Sequence, residues 1–172
     1  RSINGGLAAN WPKKLRRGGP IEVAFDFHNR PYYGKQKQEE ALWVSGEAKD
    51  GTTRFYRVAT AYAILHSQRV TLAIRFVLPG DQPVEVVKEL RQMLLQRALR
   101  IGVLYLDKGF SGFPVLNYLR RSKQPSLIAC PIRGKKGGTR ALCRGRASYR
   151  TDYTFNEGRE DEFRAQLAVC RV

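Results

Sequence analysis

Two short apolar runs, each carrying one aspartate, constrain most strongly what this chain can fold into. Residues 21–28 include Asp26, and residues 103–110 include Asp107 directly after an apolar stretch. Both runs are rich in Val, Leu, Phe or Tyr, which is typical of buried strands. A carboxylate on an otherwise buried strand is costly unless a cation pairs with it. We therefore expect the two aspartates to meet and to share a cation.

The rest of the chain predicts how these two strands are connected. Alternation of apolar and polar residues predicts three opening strands, and helical spacing predicts two helices, each followed by a strand. In chain order these elements cover residues 21–28, 54–65, 69–78, 83–100, 101–106, 112–122 and 126–130. Consecutive strands favour an antiparallel meander, whereas strands joined through helices should be parallel. The predicted fold class is α/β, with a mixed five-stranded sheet flanked by helices in the ribonuclease-H-like layout.

Local signals predict where these elements begin and end. Asp81 and Ser111 are expected to cap the two helices, and Gly102 is expected to end the first of them. Residues 66–68 are expected to form a hairpin-like link between the second and third strands. In the ribonuclease-H-like layout the first and fourth strands are neighbours, which would bring Asp26 and Asp107 together.

Composition divides the chain into three parts. Residues 1–20 are rich in Gly, Pro and basic residues, and we expect a linker or flap that Trp11 pins to the body. Residues 21–132 hold the predicted sheet. Residues 133–172 begin with a basic loop and continue into two further predicted strands, which are expected to start a separate β-rich section.

The charge balance is strongly basic. The chain has 31 Lys and Arg against 15 Asp and Glu, a formal net charge of +16. This excess favours a polyanionic partner, with nucleic acid first and an anionic membrane surface second. No apolar stretch approaches the roughly 20 residues of a membrane span, and no long basic amphipathic helix is evident. The predicted partner is therefore nucleic acid and not a membrane.

Residues 131–150, called the basic segment below, contain no acidic residue and are predicted to contact nucleic-acid phosphates. The expected contacts are Arg133, Lys135, Lys136, Arg140, Arg144 and Arg146. Glycines within the segment predict a loose backbone that becomes ordered on binding. The alternative is a disordered loop that only aids solubility.

The cysteines indicate a reducing compartment. Cys130, Cys143 and Cys170 are odd in number, and no pair has C-x-x-C spacing. This pattern argues against a disulfide framework and against a zinc module. We expect three free, buried thiols in a cytoplasmic protein.

Two motifs resemble those of bacterial and archaeal insertion-sequence transposases of the DDE type. The first reads Asp-x-His-x-x-Pro-Tyr-Tyr-Gly over residues 26–34, and the second reads Leu-Tyr-Leu-Asp-Lys-Gly-Phe over residues 104–110. The closest group has a β-rich insertion between its second and third acids. The similarity spans about residues 20–135, and the remainder fits the start of such an insertion.

The resemblance implies an enzyme that cuts and joins DNA with two Mg²⁺ (or Mn²⁺) ions. Asp26 would match the first acid and bridge both ions, and Asp107 would match the second and hold one. The expected partners are double-stranded transposon ends and target DNA, bound by a homodimer of the full-length protein. In a prokaryotic cell such an enzyme is cytoplasmic and associates with the nucleoid when on DNA.

The third acid of this family is a Glu in a Tyr-x-x-Arg-x-x-x-Glu-x-x-x-x-x-x-Lys pattern, which this sequence lacks. Glu157, Glu160 and Glu162 lie between two predicted strands and not on a helix. We therefore expect the third acid to lie beyond Val172. This chain alone is expected to bind DNA with little sequence preference and not to cleave it.

Three further residues are possible accessories to the aspartate pair. His28 shares a strand face with Asp26, so it either contacts a phosphate or orients metal-bound water, or it serves as a structural hydrogen-bond partner. Tyr32 either stacks on an extruded base or packs after the proline turn. Lys108 either meets a DNA phosphate or is simply solvated.

Two other functions fit the same motifs. One is a non-enzymatic DNA-binding module derived from a transposase, which keeps the fold and not the chemistry. The other is a ribonuclease-H-like nuclease acting on RNA hybrids, although such enzymes normally carry their full carboxylate set within a chain of this length.

Overall fold

The computed structural model describes residues 3–35, 42–65 and 68–171. The helices are α1 Ile3–Ala9, α2 Pro83–Leu95, α3 Phe113–Arg121 and α4 Gly138–Leu142, with 3-10 turns at Lys13–Arg17 and Lys108–Phe110. The strands are β1 Pro20–Pro31, β2 Val44–Lys49, β3 Thr52–Leu65, β4 Gln68–Val77, β5 Arg100–Leu106, β6 Ser126–Ile128, β7 Tyr149–Phe155 and β8 Phe163–Val169. Most of the predicted hairpin link, residues 66 and 67, lies outside the described residues.

The predicted mixed α/β sheet flanked by helices is confirmed. Strand β1 is antiparallel to β3 on one side and parallel to β5 on the other. Strand β4 pairs with β3, and β6 pairs with β5, so the order is β4-β3-β1-β5-β6. Strand β2 is an addition to this prediction. It pairs with the first residues of β3 on the edge opposite β1, since Phe55 of β3 pairs with both Val44 and Pro31.

The core lies on one face of this sheet. Val23 and Phe25 of β1 are buried there with Leu104 and Leu106 of β5. Helix α2 covers this face with its buried residues Val86, Val87, Leu90 and Leu94. Burying an apolar side chain of this size stabilises the fold by about 1.5–3 kcal/mol, so this layer fixes which face of β1 and β5 remains accessible.

The amino-terminal segment, predicted as a linker or flap, instead packs on β4. The side-chain amide of Asn4 donates to Ile74 O (2.9 Å), and its oxygen accepts from Ile74 N (2.8 Å), as a neighbouring strand would. The predicted anchor is present: the buried Trp11 donates through Nε1 to Thr71 O (3.3 Å), and Leu15 joins the core. The segment thereby covers an edge strand that would otherwise offer unpaired backbone groups.

Helix α2 ends five residues earlier than predicted, and Gly102 does not end it. Leu99 N donates to Leu94 O and Ala98 N to Leu95 O, which is the Schellman arrangement, with Ala98 at φ 56°. Gly102 lies within β5 instead. A Cβ there would be 3.2 Å from Pro20 Cβ, so the glycine permits close approach of β5 to β1.

Asp81 does not cap α2 as predicted. Its Oδ2 accepts from Leu78 N (2.7 Å) and from Arg75 Nη1 (2.8 Å), which closes the turn between β4 and α2. The residue before the helix is Gln82, whose side chain makes no capping bond. Partial burial alone would raise the pKa of the Asp81 carboxyl, but the bonds from Arg75 and Leu78 hold that pKa below its usual value.

The three cysteines are free, as predicted, but they are not buried. Cys130 and Cys170 are exposed and Cys143 is partly exposed, because they follow β6, β8 and α4 at the surface. Partial burial raises the pKa of the Cys130 thiol, although the nearby Arg133 lowers it. No helix among the described residues is long and apolar enough to cross a membrane.

Candidate metal and nucleic-acid site

The pairing of β1 with β5 places the two aspartates at neighbouring positions, Asp26 within β1 and Asp107 directly after β5. Phe25 is the Cα partner of Leu106, and Asp26 and Asp107 are the next residue on each strand. Neighbouring strands lie about 4.8 Å apart, and side chains alternate between faces. The Asp26 carboxylate therefore lies on the face opposite the buried Phe25, and both carboxylates line one cleft of about 1210 Å³.

Both carboxylates are accessible. The side chain of Asp26 is 32% exposed, and Asp107 is exposed. Among the described residues, neither aspartate has a lysine or arginine within 4.0 Å. The imidazole of His28 lies close to one of them, with Nε2 3.8 Å from Asp26 Oδ2. Two adjacent carboxylates without a basic partner are a suitable ligand pair for a cation.

The donor set fits a hard divalent ion that is only partly held by protein. In the described parts of the chain, no group of three or more His, Cys, Asp and Glu side chains is arranged to hold a metal. Mg²⁺ is commonly bound through one or two carboxylates, with waters and substrate phosphates completing its shell. Asp26 and Asp107 meet this requirement.

The three glutamates that the sequence places between two predicted strands lie in and directly after the turn between β7 and β8. Glu157 and Glu160 are exposed in that turn, and Glu162 Oε2 accepts from Gly158 N (3.0 Å). Glu162 also lies 3.6 Å from Arg164 Nε. None of the three lines the cleft that holds the aspartate pair.

His28 makes a hydrogen bond within the sheet. Its Nε2 shares a 3.0 Å hydrogen bond with Thr60 Oγ1. Thr60 is the cross-strand partner of Asp26 on β3, so the three side chains form one polar cluster. Thr60 carries no signal in the sequence, because its proximity to Asp26 depends on the register of two strands that are far apart in the chain.

The Pro-Tyr-Tyr-Gly motif shapes the chain after β1. The ring of Tyr32 packs edge-on against Tyr56, with centroids 5.0 Å apart, so packing is the role observed for it. Gly34 is required because a Cβ there would overlap the Tyr32 ring. Tyr33 is 68% exposed, and its hydroxyl donates to Asp50 O (2.7 Å).

A 3-10 turn follows Asp107. Lys108 is exposed in this turn, directly beside the carboxylate. Ser111, predicted to cap the next helix, instead donates through Oγ to Lys108 O (2.8 Å), and Gly112 precedes α3. The turn is anchored by Phe110, which is fully buried.

The basic segment has more internal structure than predicted. It contains α4, and the buried Thr139 accepts from Arg133 N (2.8 Å) while donating to Pro131 O (2.9 Å). Arg140 Nε donates to Gly134 O (2.6 Å). Local hydrogen bonds therefore order a stretch whose glycine content predicted a loose backbone.

These bonds divide the predicted DNA contacts into two groups. Arg140 is committed to its own loop, and so is Arg144, whose Nη2 donates to Lys136 O (3.0 Å). Arg133, Lys135, Lys136 and Arg146 are exposed, and no side-chain hydrogen bond or ion pair engages them among the described residues. The second group is available to phosphates.

The cleft joins the aspartates to the basic segment. Arg133 lines it together with both carboxylates. Its far wall is strand β8, held against α3 by Phe163, whose ring centroid lies 6.4 Å from that of Phe113. The guanidinium carbon of Arg120, in α3, lies over the Phe163 ring, 4.6 Å from its centroid. The hairpin β7–β8 is thus attached to the sheet domain beside the acidic pair.

Comparison with protein-family models, curated proteins and solved structures finds no match for this chain.

Proposed function

We propose that this chain is part of the catalytic core of a DDE-type transposase, which cleaves DNA and transfers the cut strand using divalent metal ions. The observation that carries the proposal is the pair Asp26 and Asp107. Asp26 lies within β1 and Asp107 directly follows the neighbouring parallel strand β5; both line one cleft, and neither has a lysine or arginine partner among the described residues. The motifs around both residues resemble that family.

The sheet supports a ribonuclease-H-like assignment. Four antiparallel strands, β1 to β4, come first, and the parallel strands β5 and β6 follow through helices, with β1 and β5 as neighbours within the sheet. This is the layout in which the first two acids of such enzymes meet. The hairpin β7–β8 follows the basic segment, where the resemblance expects a β-rich insertion to begin.

The residues divide the work as follows. Bound Mg²⁺ or Mn²⁺ would activate the attacking oxygen and stabilise the leaving oxygen of a phosphodiester. Asp26 and Asp107 would hold the ions, and His28 with Thr60 would fix the side chain of Asp26. The exposed lysines and arginines of the basic segment would contact phosphates of the DNA backbone. Each phosphate that they neutralise would make the DNA affinity more dependent on salt.

The proposal includes the partners that the resemblance implies. These are double-stranded transposon ends and target DNA, bound in the cytoplasm by a homodimer of the full-length protein. No third carboxylate joins the pair within the described residues. We therefore predict DNA binding without nicking by the 172-residue chain.

The test is the affinity of the chain for Mn²⁺, measured by electron paramagnetic resonance. Asp26→Asn and Asp107→Asn should each weaken binding about tenfold or more, because each removes an anionic ligand from a set of two. Asp152→Asn is the matched control, since Asp152 is an exposed strand aspartate outside the cleft. Equal Mn²⁺ affinity in all three variants would refute the proposal.

A non-catalytic DNA-binding module remains the second candidate, favoured by the two-carboxylate donor set. In that case duplex DNA should bind equally well to the wild-type chain and to the Asp26→Asn/Asp107→Asn double variant, with or without Mg²⁺. For the metal-dependent core, Mg²⁺ should increase DNA affinity in the wild-type chain only.

A further inference from the structure

A second pocket, of about 370 Å³, lies beside Asp107 and is lined by residues of the sheet face that carries Phe27. Phe27, Asn29, Arg57 and Lys108 line it, and Arg133 lies at the junction with the larger cleft. Arg57 belongs neither to the motifs around the aspartates nor to the basic segment. Its place in this pocket follows only from the pairing of β3 with β1.

The structure holds the Arg57 side chain in one orientation. Its Nε donates to Asn29 Oδ1 (2.8 Å), and Asn29 is its cross-strand partner. Its guanidinium carbon lies 5.7 Å from the centroid of the Phe27 ring. Phe27 in turn stacks on Phe110 of the turn after Asp107, with centroids 4.1 Å apart. The guanidinium is thus positioned by the two segments that carry the aspartates.

This guanidinium has no counter-ion among the described residues. No carboxylate lies within 4.0 Å of it, and its Nη1 and Nη2 atoms donate no hydrogen bond there. Arg57 is partly buried, and this burial lowers the pKa of its guanidinium. The carboxylate of Asp81, which also lines the pocket, is already bound by Arg75.

We infer that this pocket binds a backbone phosphate of DNA, with Arg57 as its principal ligand. A guanidinium presents its N–H groups in a planar fork that matches two phosphate oxygens. The phosphate would be a neighbour of the one presented to Asp26 and Asp107, with Lys108 and Arg133 at the rim. Arg57 would thereby set the register of the strand in the active centre. This inference rests on the proposed function.

The test uses a fluorescein-labelled random-sequence duplex, titrated with the chain in Mg²⁺ over a salt series. Arg57→Gln removes the charge, and Arg57→Lys keeps it without the fork. Arg69→Gln is the matched control, because Arg69 also lies over an aromatic ring, 5.0 Å from the Tyr62 centroid, but at the opposite end of the β3–β4 pair. Circular dichroism confirms that each variant is folded, and Arg57→Lys serves if Arg57→Gln is not.

Arg57→Gln should bind about tenfold more weakly, as expected for a lost hydrogen-bonded charge contact. Its slope of log affinity against log salt should be shallower by about 0.9, the value for one phosphate. Arg57→Lys should keep the slope and lose about threefold in affinity through the missing fork. Arg69→Gln should match the wild-type chain.

Two results would overturn the inference. If Arg57→Gln and Arg69→Gln bind DNA with the same affinity and slope, the pocket holds no phosphate, and the Mn²⁺ test of Asp26 and Asp107 still stands separately. If the wild-type chain does not bind the duplex at all, the inference and the proposed function both fail.

Discussion

Substitution of Gly109 by alanine tests how the turn after Asp107 is packed. A Cβ at Gly109 would lie 3.0 Å from Phe27 Cδ2 and 3.4 Å from Cε2, closer than the 3.5–4.0 Å or so of a favourable carbon contact. The Phe27 ring has little room to retreat. The ring stacks on Phe110, 4.1 Å away between centroids, and the Arg57 guanidinium carbon lies 5.7 Å from its centroid.

The expected magnitude follows from two opposing effects. The backbone of Gly109 has no positive φ, so alanine fits it and should gain about 0.4–1 kcal/mol by restricting the unfolded chain. Overpacking typically costs about 1–3 kcal/mol. The clash should prevail, leaving a net loss of about 1–2 kcal/mol. For a chain of this length that loss lowers the unfolding midpoint by about 2–8 °C.

The assay is thermal unfolding followed by circular dichroism, with Gly112→Ala as the control. Gly112 lies at the end of the same connection, has φ −71°, and a Cβ there would meet only Pro114 Cδ at 3.7 Å. Its alanine variant should stay within about 0.5 kcal/mol of wild type. Equal midpoints for the two variants would show that the Phe27 ring relaxes freely, and the packing reasoning would be wrong.

Three further predictions concern other parts of the fold. Ala98→Gly should raise the unfolding midpoint, because glycine removes about 1 kcal/mol of strain at a left-handed position; an unchanged or lower midpoint would count against it. The depressed pKa of Asp81 means that its contribution to stability is present above about pH 4 and is lost as the pH falls through the lowered folded-state pKa. Asp81→Asn should therefore reduce the acid sensitivity of the unfolding free energy, and an identical pH profile would contradict this. Lys135→Gln should reduce the slope of log DNA affinity against log salt by about 0.9. Arg144→Gln loses a hydrogen bond within its own loop and should mainly lower the unfolding midpoint. The reverse pattern would contradict the distinction between loop-bonded and exposed residues in the basic segment.

Patterns local to the sequence predicted much of the fold. The bounds of β1, β3, β4 and β5 differ from the predicted ones by few residues, because each strand is a long apolar or alternating run. The strand β2 escaped prediction because Ser45, Gly46 and Glu47 have low strand propensity. It forms because Asp50 and Gly51, both at positive φ, make a tight hairpin turn to β3.

The amino-terminal segment shows why composition can mislead. Its Gly, Pro and basic residues predicted a linker, yet Asn4 and Trp11 bond to backbone groups of β4 that are 70 and 60 residues away. Such long-range bonds leave no periodic signal. The end of α2 was missed for a different reason, since nothing in the sequence marks Ala98 as left-handed.

The candidate site was predictable in part. Asp26 interrupts one apolar run and Asp107 ends another, and the sheet order makes their strands neighbours. The surroundings of the pair were not predictable, because the register of β3 on β1 places Thr60 beside Asp26 and Arg57 in the neighbouring pocket. Similarly, the sequence does not distinguish Arg144, which bonds to its own loop, from Lys135, which is exposed without such a bond among the described residues.

The most direct test of the central claim is a crystal of this chain soaked in Mn²⁺, with anomalous diffraction recorded to locate the ion. An anomalous peak between the two carboxylates, about 2.1–2.2 Å from one oxygen each of Asp26 and Asp107, is the predicted result. The absence of a peak there at saturating Mn²⁺, or a peak bound by other side chains, would contradict it.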